Sequence, residues 1–360
     1  MSAVDNLAME SAVERLVEQI FNANSAGKKL KICGGETKAA LYPPVTSAEH
    51  EDVDLLPVNY TGIVSYQPSE LVLTTRAGTK LSEIHTALAE QNQQLGFEPP
   101  SFGRNATIGG TVAAALSGPA RPYMGSIRDA VLGVKLLTGD GHVVRFGGEV
   151  MKNVAGYDVS RLVVGSMGSI AVILEVSLRV TPIAGAECFL KIDCDEREAF
   201  RRMAELNEQS LPITGLAFAD NALHLRLAGS KIAVEQTRGA MSDYADEGQV
   251  FWQQLNEQEL KFFNQPGNLW RLTLPFRSVS EMEISGDRIW DWGGGLCWLK
   301  SDAPPVEIAD ALQRAGGAAL LFKGEALTDE RRATTAIGQI RERLRTVFDP
   351  HQLFVRRGQW

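Results

Sequence analysis

Glycine is spread unevenly along this chain, and no other feature constrains the fold as much. Thirteen of its 34 glycines fall between residues 101 and 170, about twice an even share. They come in blocks: Ala106-Thr107-Ile108-Gly109-Gly110, Ser117-Gly118-Pro119, Gly125-Ser126-Ile127-Arg128-Asp129, Lys152-Asn153-Val154-Ala155-Gly156-Tyr157-Asp158 and Gly165-Ser166-Met167-Gly168. Glycine tolerates positive φ and lets one backbone approach another surface closely. Turns of this kind beside short apolar runs suggest a main chain wrapped around a large polar ligand.

The bulk numbers narrow the ligand and the setting. A chain of 360 residues can build two domains with cores of their own. Its composition, 44% hydrophobic and 22% charged, is that of an ordinary globular protein. A net charge of −8 argues against a nucleic-acid binder, which needs a basic face. The four cysteines, Cys33, Cys188, Cys194 and Cys297, show no CxxC spacing. They offer no ligand set for an iron–sulfur cluster or structural zinc, and they read as reduced thiols of a cytosolic protein. The five histidines form no local pair, so no metal is expected. Met1 to Glu10 holds two acids and no apolar core, unlike a signal peptide. No run reaches the ~20 apolar residues of a membrane span, so direct membrane insertion is not expected.

The apolar pattern predicts an α+β chain. Val13, Leu16, Val17, Ile20 and Phe21 recur at helical spacing, with a stop near Gly27. Leu30 to Cys33 reads as a strand running into Gly34-Gly35-Glu36-Thr37-Lys38. That loop either presents backbone N–H groups to a phosphate or is an ordinary tight turn, and the pattern alone leaves both open. Leu71 to Thr75 reads as a strand, followed by a helix that Thr79 caps and that carries Leu81, Ile84 and Leu88. Gly133 to Phe146 reads as a hairpin turning at Gly139-Asp140-Gly141. From Ile170 to Val180 every even position is apolar, while Glu175, Ser177 and Arg179 alternate with them. This predicts a half-buried strand, ended by Thr181-Pro182. A domain boundary fits there.

Beyond Pro182, strands at 188–193, 216–218, 223–227, 269–276, 296–299 and 318–322 alternate with helices, which suggests an antiparallel α+β domain. Trp252, Trp270, Trp290, Trp292 and Trp298 are read as packing rather than as a substrate cage. The segment 328–348 is read as a helix with Ile337, Ile340, Leu344 and Val347 on its buried face and its arginines in solvent. Asp349-Pro350 breaks it, and an extended tail follows.

Two common nucleotide sites are absent. The nearest approach to GxGxxG, at Gly139-Asp140-Gly141, lacks its third glycine and lies in a hairpin turn. There is no GxxxxGK[ST]. In their order, the Gly34–Lys38 loop after a strand, Ala106 to Gly110, Lys152 to Asp158 and Gly165 to Gly168 before a long strand resemble the FAD-binding domain of the vanillyl-alcohol oxidase/p-cresol methylhydroxylase (PCMH) type. Over nearly the whole length, including Gln67 to Val72, Pro100 to Gly110 and Arg121, the chain also resembles the FAD-binding E-subunit family of bacterial glycolate oxidases.

The resemblance implies a two-subdomain PCMH-type FAD-binding domain over residues 1–182, an antiparallel α+β cap over 183–326, and a C-terminal helix and tail over 327–360 packing back on the first domain. It implies FAD, held by Gly34, Gly35, Glu36, Thr37, Lys38, Pro100, Gly103, Thr107, Ile108, Gly109, Gly110, Ala113, Ser117, Gly118, Ser126, Gly168, Ile170 and Ile173. Physically, backbone N–H groups of the Gly34–Lys38 loop and near Gly109-Gly110 could meet the pyrophosphate. Covalent relatives tether flavin through a histidine in the first loop; this chain has none there, so non-covalent FAD is expected. It has Met167 and Ala171 where relatives commonly read GSEGTLG. It also lacks the HxGDGNxH-type motif of the catalytic subunit and of related 2-hydroxyacid dehydrogenases.

The expected function is accordingly a FAD-binding subunit of a complex that oxidises a 2-hydroxy acid such as glycolate. The implied partners are a catalytic flavin subunit and an iron–sulfur subunit, in the cytoplasm or peripheral at the inner membrane through those partners. Two readings stand beside it. One is a self-sufficient FAD oxidoreductase with Tyr157, Arg271 and Arg277 contacting substrate; the other is a non-catalytic assembly subunit with a degenerate flavin fold.

Overall fold

The computed structural model describes residues 3–41, 53–148, 158–276, 284–324 and 336–356. The alternating segment near residue 170 becomes the central strand, Val172–Arg179, of a five-stranded antiparallel sheet. Its order is Ile63–Gln67, Val72–Arg76, Val172–Arg179, Val131–Leu137, Val143–Gly147. The expected half-buried strand is not what forms, because all but its last residue are buried. Alternation here separates an apolar face from a polar face that is paired inside the protein. The Glu175 carboxylate accepts from Tyr60 Oη at 2.9 Å and meets Lys135 Nζ at 3.2 Å and Arg145 Nη2 at 2.9 Å, while Ser177 Oγ lies 2.8 Å from Thr74 Oγ1. Buried polar groups persist when they are partnered in this way.

The N-terminal helix, Ala3–Ala26, stops at Gly27, which takes φ +67. Leu16 and Ile20 are buried as expected, whereas Phe21 is exposed beside the hairpin turn at Gly141. The helix Leu81–Ala89 buries Leu81, Ile84 and Leu88, but Thr79 does not cap it. Lys80 holds the cap position without a side-chain bond, and Thr79 Oγ1 instead accepts from Gly62 N at 2.8 Å.

Strand Lys29–Cys33 pairs in parallel with Val53–Pro57. Its other edge is covered by the tail: Leu30 N donates to Leu353 O at 2.8 Å, and Val355 N donates to Leu30 O at 3.0 Å. The final helix is Ala336–Phe348, and its expected apolar face is not the buried one. Ile340 and Val347 are exposed and the Ile337 side chain lies outside the described residues. Arg345, expected in solvent, is buried and donates to Phe354 O at 2.7 Å. Asp349 accepts from Leu353 N at 2.7 Å and Phe354 N at 2.9 Å. The tail's backbone must be satisfied where it docks, and this polar pair does so at the expense of the apolar stripe.

Gln93–Gln94 and Thr181–Pro182 form a short antiparallel pair, and the strands after residue 185 form one eight-stranded sheet. Its order is Ala245–Asp246, Ala186–Asp193, Ala222–Gly229, Ile213–Ala219, Asp287–Asp291, Leu296–Lys300, Leu269–Thr273, Ala318–Lys323. It is two four-stranded halves of the same spatial order, joined back to back by a single residue pair, Phe218 with Trp290. Trp270 and Trp290 pack into this sheet's own core. Trp252, Trp292 and Trp298 belong to a second cluster that also takes in Leu41, Ala114 and Leu116, so aromatic packing joins the two sheets' regions.

Candidate cofactor site

Strand Lys29–Cys33 delivers the loop 34–38 to the wall of an open cleft of about 790 Å³. The opposite wall is the helix Ile108–Ala114 with the turn at Met167-Gly168 and the start of the central strand. Among the described residues, nothing accepts a hydrogen bond from the amides of Gly34, Gly35, Glu36, Thr37 or Lys38. Five consecutive unpaired N–H groups beside a cleft form a ready-made anion cradle, because backbone donors need no side-chain charge to hold a phosphate oxygen. A diphosphate fits this donor set.

The glycines serve close approach, though the close neighbour is largely the protein itself. A Cβ on Gly35 would lie 1.5 Å from the Asn105 carbonyl oxygen, and one on Gly34 would lie 2.8 Å from Thr107 Oγ1. A Cβ on Gly109 would meet Ala77 Cβ at 2.6 Å. The first loop and the second glycine block are thus in direct contact. The amides near Gly109-Gly110, expected to face pyrophosphate, are engaged within the protein. Gly109 N donates to Ala77 O at 2.8 Å and Gly110 N to Thr107 Oγ1 at 3.3 Å.

Lys38 is buried at this cleft, 5.6 Å from the Phe102 ring centroid, with Nζ donating to Ser101 O at 3.2 Å. Burial pushes its ammonium down to about 8, opposed in part by the Glu257 carboxylate. Glu257 follows the helix Val250–Asn256, and its two oxygens accept from Ser101 N at 2.8 Å and Phe102 N at 2.7 Å. Lys323 Nζ lies 5.3 Å from the same Phe102 ring. The loop around Phe102 is therefore clamped by residues far away in sequence.

Of the residues expected to meet a cofactor, Gly34, Gly35, Glu36, Thr37, Lys38, Thr107, Gly109, Gly110, Ala113, Gly168 and Ile173 line this cleft. Gly103 stands behind Thr37, and Pro100 is buried in the same loop. Ile108 and Ile170 are core residues with no exposure. Ser117 Oγ accepts from Ile127 N at 3.1 Å, Gly118 O accepts from Trp292 Nε1 at 3.0 Å, and Ser126 forms a capping box with Asp129. Tyr157 and Arg277 lie outside the described residues. Arg271 lines a second, separate cleft with Arg121 and Trp292. Sequence reasoning did not single out Glu257, Phe102 or Lys31, which the loop contacts here. Glu257 sits in an ordinary charged stretch, and no local signal marks it.

Residues 11–147 match the family described as FAD binding domain, which makes FAD the cofactor of this fold. The chain is 46% identical to "Glycolate oxidase subunit GlcE" of Escherichia coli over 86% of either chain. It is 28% identical to "Glycolate oxidase subunit GlcD" of Bacillus subtilis over 43% of this chain and 31% of that one. In solved structures, an alkyldihydroxyacetonephosphate synthase superposes with a TM-score of 0.66 over 96% of this chain and 74% of that chain, at 15% identity, a likeness of fold alone. This agrees with the α+β, PCMH-type architecture built above. With FAD in an oxidoreductase fold and identity that high over nearly the full length, the chain belongs to the family of glycolate oxidase subunit GlcE.

Proposed function

We propose that this chain is the FAD-binding subunit of a complex that oxidises a 2-hydroxy acid, most simply glycolate to glyoxylate, and that it passes electrons to an iron–sulfur partner subunit rather than oxidising the acid unaided. The observation that carries the reading is the row of unpaired amides from Gly34 to Lys38 on the cleft wall. FAD, when bound, supplies reversible acceptance of two electrons. The chain's own part is to hold it. The 34–38 amides would hold the pyrophosphate, Lys38 would add a charge-assisted contact, and Ala113, Met167, Gly168 and Ile173 line the facing wall. With no histidine in the first loop, the attachment is non-covalent. We assign the FAD-binding domain to residues 1–182, the cap to 183–326 and the returning helix and tail to 327–360.

A partner-dependent role is supported by what stands beside the cleft. Ala114, Leu116, Phe102 and Met167 pack with Trp252, Phe262, Phe263, Trp292, Trp298 and Phe322, so apolar side chains occupy the space between the two sheets. Among the described residues no group of histidines, cysteines and acids could hold a metal, which leaves the catalytic subunit and the iron–sulfur subunit to supply those parts. No helix of the described residues is long and apolar enough to cross a membrane, and attachment at the inner membrane would run through those partners.

The test is anaerobic addition of glycolate to the purified, yellow chain, followed by addition of the catalytic subunit. The flavin absorbance should stay oxidised in the first step and bleach in the second. Bleaching by glycolate alone would overturn the relay and favour the second reading, a self-sufficient oxidoreductase with Tyr157, Arg271 and Arg277 at the substrate. One observation favours that second reading: Arg271 does line an open cleft.

A further inference from the structure

The second cleft is an open one of about 1100 Å³ and draws its walls from both sheets' regions. Arg121 and Pro122 come from the short helix Arg121–Met124, just after the Ser117-Gly118-Pro119 block. Arg271 and Thr273 come from the strand next to the edge of the eight-stranded sheet, and Gly316-Gly317 turn into the edge strand itself. Between them stands Trp292, fixed from both ends: its N–H donates to Asp291 Oδ1 at 2.7 Å and its Nε1 to Gly118 O at 3.0 Å.

Both guanidinium groups lie over the Trp292 ring, at 4.3 Å for Arg121 and 5.0 Å for Arg271. The two cations are thus less than about 10 Å apart. Among the described residues neither guanidinium forms a hydrogen bond or an ion pair. The two acids that feel them are otherwise engaged: Asp129 accepts from Ser126 N and Oγ at 2.9 and 2.7 Å, and Asp291 accepts from Trp292 N. A ring face stabilises a cation by about 0.5–2 kcal/mol but leaves the N–H edges unsatisfied and does nothing for the repulsion between two of them. Stacking also fixes the guanidinium planes, which lowers the entropy lost when the forks take a ligand.

We infer that Arg121 and Arg271, braced on Trp292, form a binding site for the carboxylate of a small organic acid. Two planar forks offer bidentate hydrogen bonds to one or two carboxylates. Thr273 stands on the cleft wall, together with glycines at 295, 316 and 317. The site takes up Arg271 from the second functional reading but stands without any flavin chemistry, so it can fail or hold independently of the relay.

The experiment is calorimetric titration of the full chain with oxalate and, separately, with inorganic phosphate at constant ionic strength. Oxalate should bind at one site per chain. Arg271→Gln and Arg121→Gln should each weaken it at least tenfold, while Arg271→Lys recovers only part of the loss because the fork is gone. Thermal melts and loss of the yellow colour identify a variant that is unfolded; the Lys variant then carries the comparison. No saturable oxalate binding, or binding indifferent to all three substitutions, overturns the site. Phosphate binding as tightly as oxalate with the same dependence overturns the carboxylate assignment.

Discussion

The two clefts of this molecule present anion-binding groups of opposite kinds. The first uses backbone: five amides with no acceptor among the described residues, glycines at the points of closest approach, and the buried Lys38. The second uses side chains: two arginines braced on a tryptophan. A backbone cradle is set by how two loops pack and cannot be rebuilt by rotating a side chain. A side-chain site can be adjusted one residue at a time. The first should therefore fail all at once when its packing is disturbed, and the second by degrees.

Gly35→Ala is the strongest way to break that contrast. The new Cβ would lie 1.5 Å from the Asn105 carbonyl oxygen, a backbone atom that cannot rotate away. We expect a stability loss of about 3 kcal/mol and complete loss of bound flavin, read from the visible spectrum. Oxalate binding at the arginine cleft should survive wherever the melt shows a folded chain. Flavin retained at full occupancy would mean the loops yield more readily than their packing indicates.

Behind the arginine cleft, Asp291 carries the next largest effect. Burial raises its carboxyl to about 7, with the Trp292 N–H, Arg226 and Arg271 pulling the other way and Glu98 adding to the rise. Between about pH 4, where an unfolded Asp titrates, and pH 7 the folded chain keeps a proton that the unfolded chain has released. Stability contributed by the neutral acid therefore falls as pH rises through that window and is gone above it. Asp291→Asn removes the effect. It should be nearly equal to the parent in stability at pH 4 and more stable by about 2–3 kcal/mol at pH 8, since each pH unit crossed inside the window removes at most about 1.4 kcal/mol from the parent. Parallel melting curves for the two proteins across that range would show the carboxyl to be ionised throughout.

The same division explains what was legible in the sequence. Glycine spacing suggested a wrapped ligand, and the family resemblance then named the residues, because a backbone site needs particular residue types at particular turns. Eleven of the eighteen residues named for it line that cleft. The central strand was legible too, but its burial was not, since Glu175 and Ser177 look like solvent-facing residues until Tyr60, Lys135, Arg145 and Thr74 arrive from elsewhere. The last helix misled for the same reason: Arg345 and Asp349 are buried because they bind a tail that only the fold brings near. Nothing local distinguishes Arg121 or Glu257 from surface charges. Their roles depend on partners more than 100 residues away.

Lys38 is the charged side chain buried in the backbone cleft among the described residues, and it tests how far amides suffice. Its folded value near 8 lies below that of an unfolded lysine, so the free chain gains stability as pH rises from about 8 toward 10.4. A bound pyrophosphate would hold the proton on. FAD binding should then take up a proton in that window, and its Kd should rise by up to about tenfold per pH unit. Lys38→Met should weaken FAD about tenfold to thirtyfold below pH 8, the value of a charge-assisted bond of about 1.5–2 kcal/mol, and should flatten the profile above it. An unchanged slope in the variant would take Lys38 out of the cofactor contact.

The smallest effect sits where the two regions are tied together. Glu257 reaches from the end of the helix Val250–Asn256 to hold both Ser101 N and Phe102 N, and Lys38 and Lys323 lie over the same Phe102 ring. Glu257→Gln keeps the shape but replaces one acceptor by a donor facing an N–H, which orphans that N–H at about 1 kcal/mol. In a chain of this size that is a melting shift of about 2 °C. The informative readout is kinetic. If the clamp closes the cofactor cleft, FAD should leave the variant severalfold faster while its association rate is unchanged, and oxalate binding should not move. A melt that drops with no change in FAD release would assign Glu257 to cap packing alone, and the two clefts would then be independent as well as different in kind.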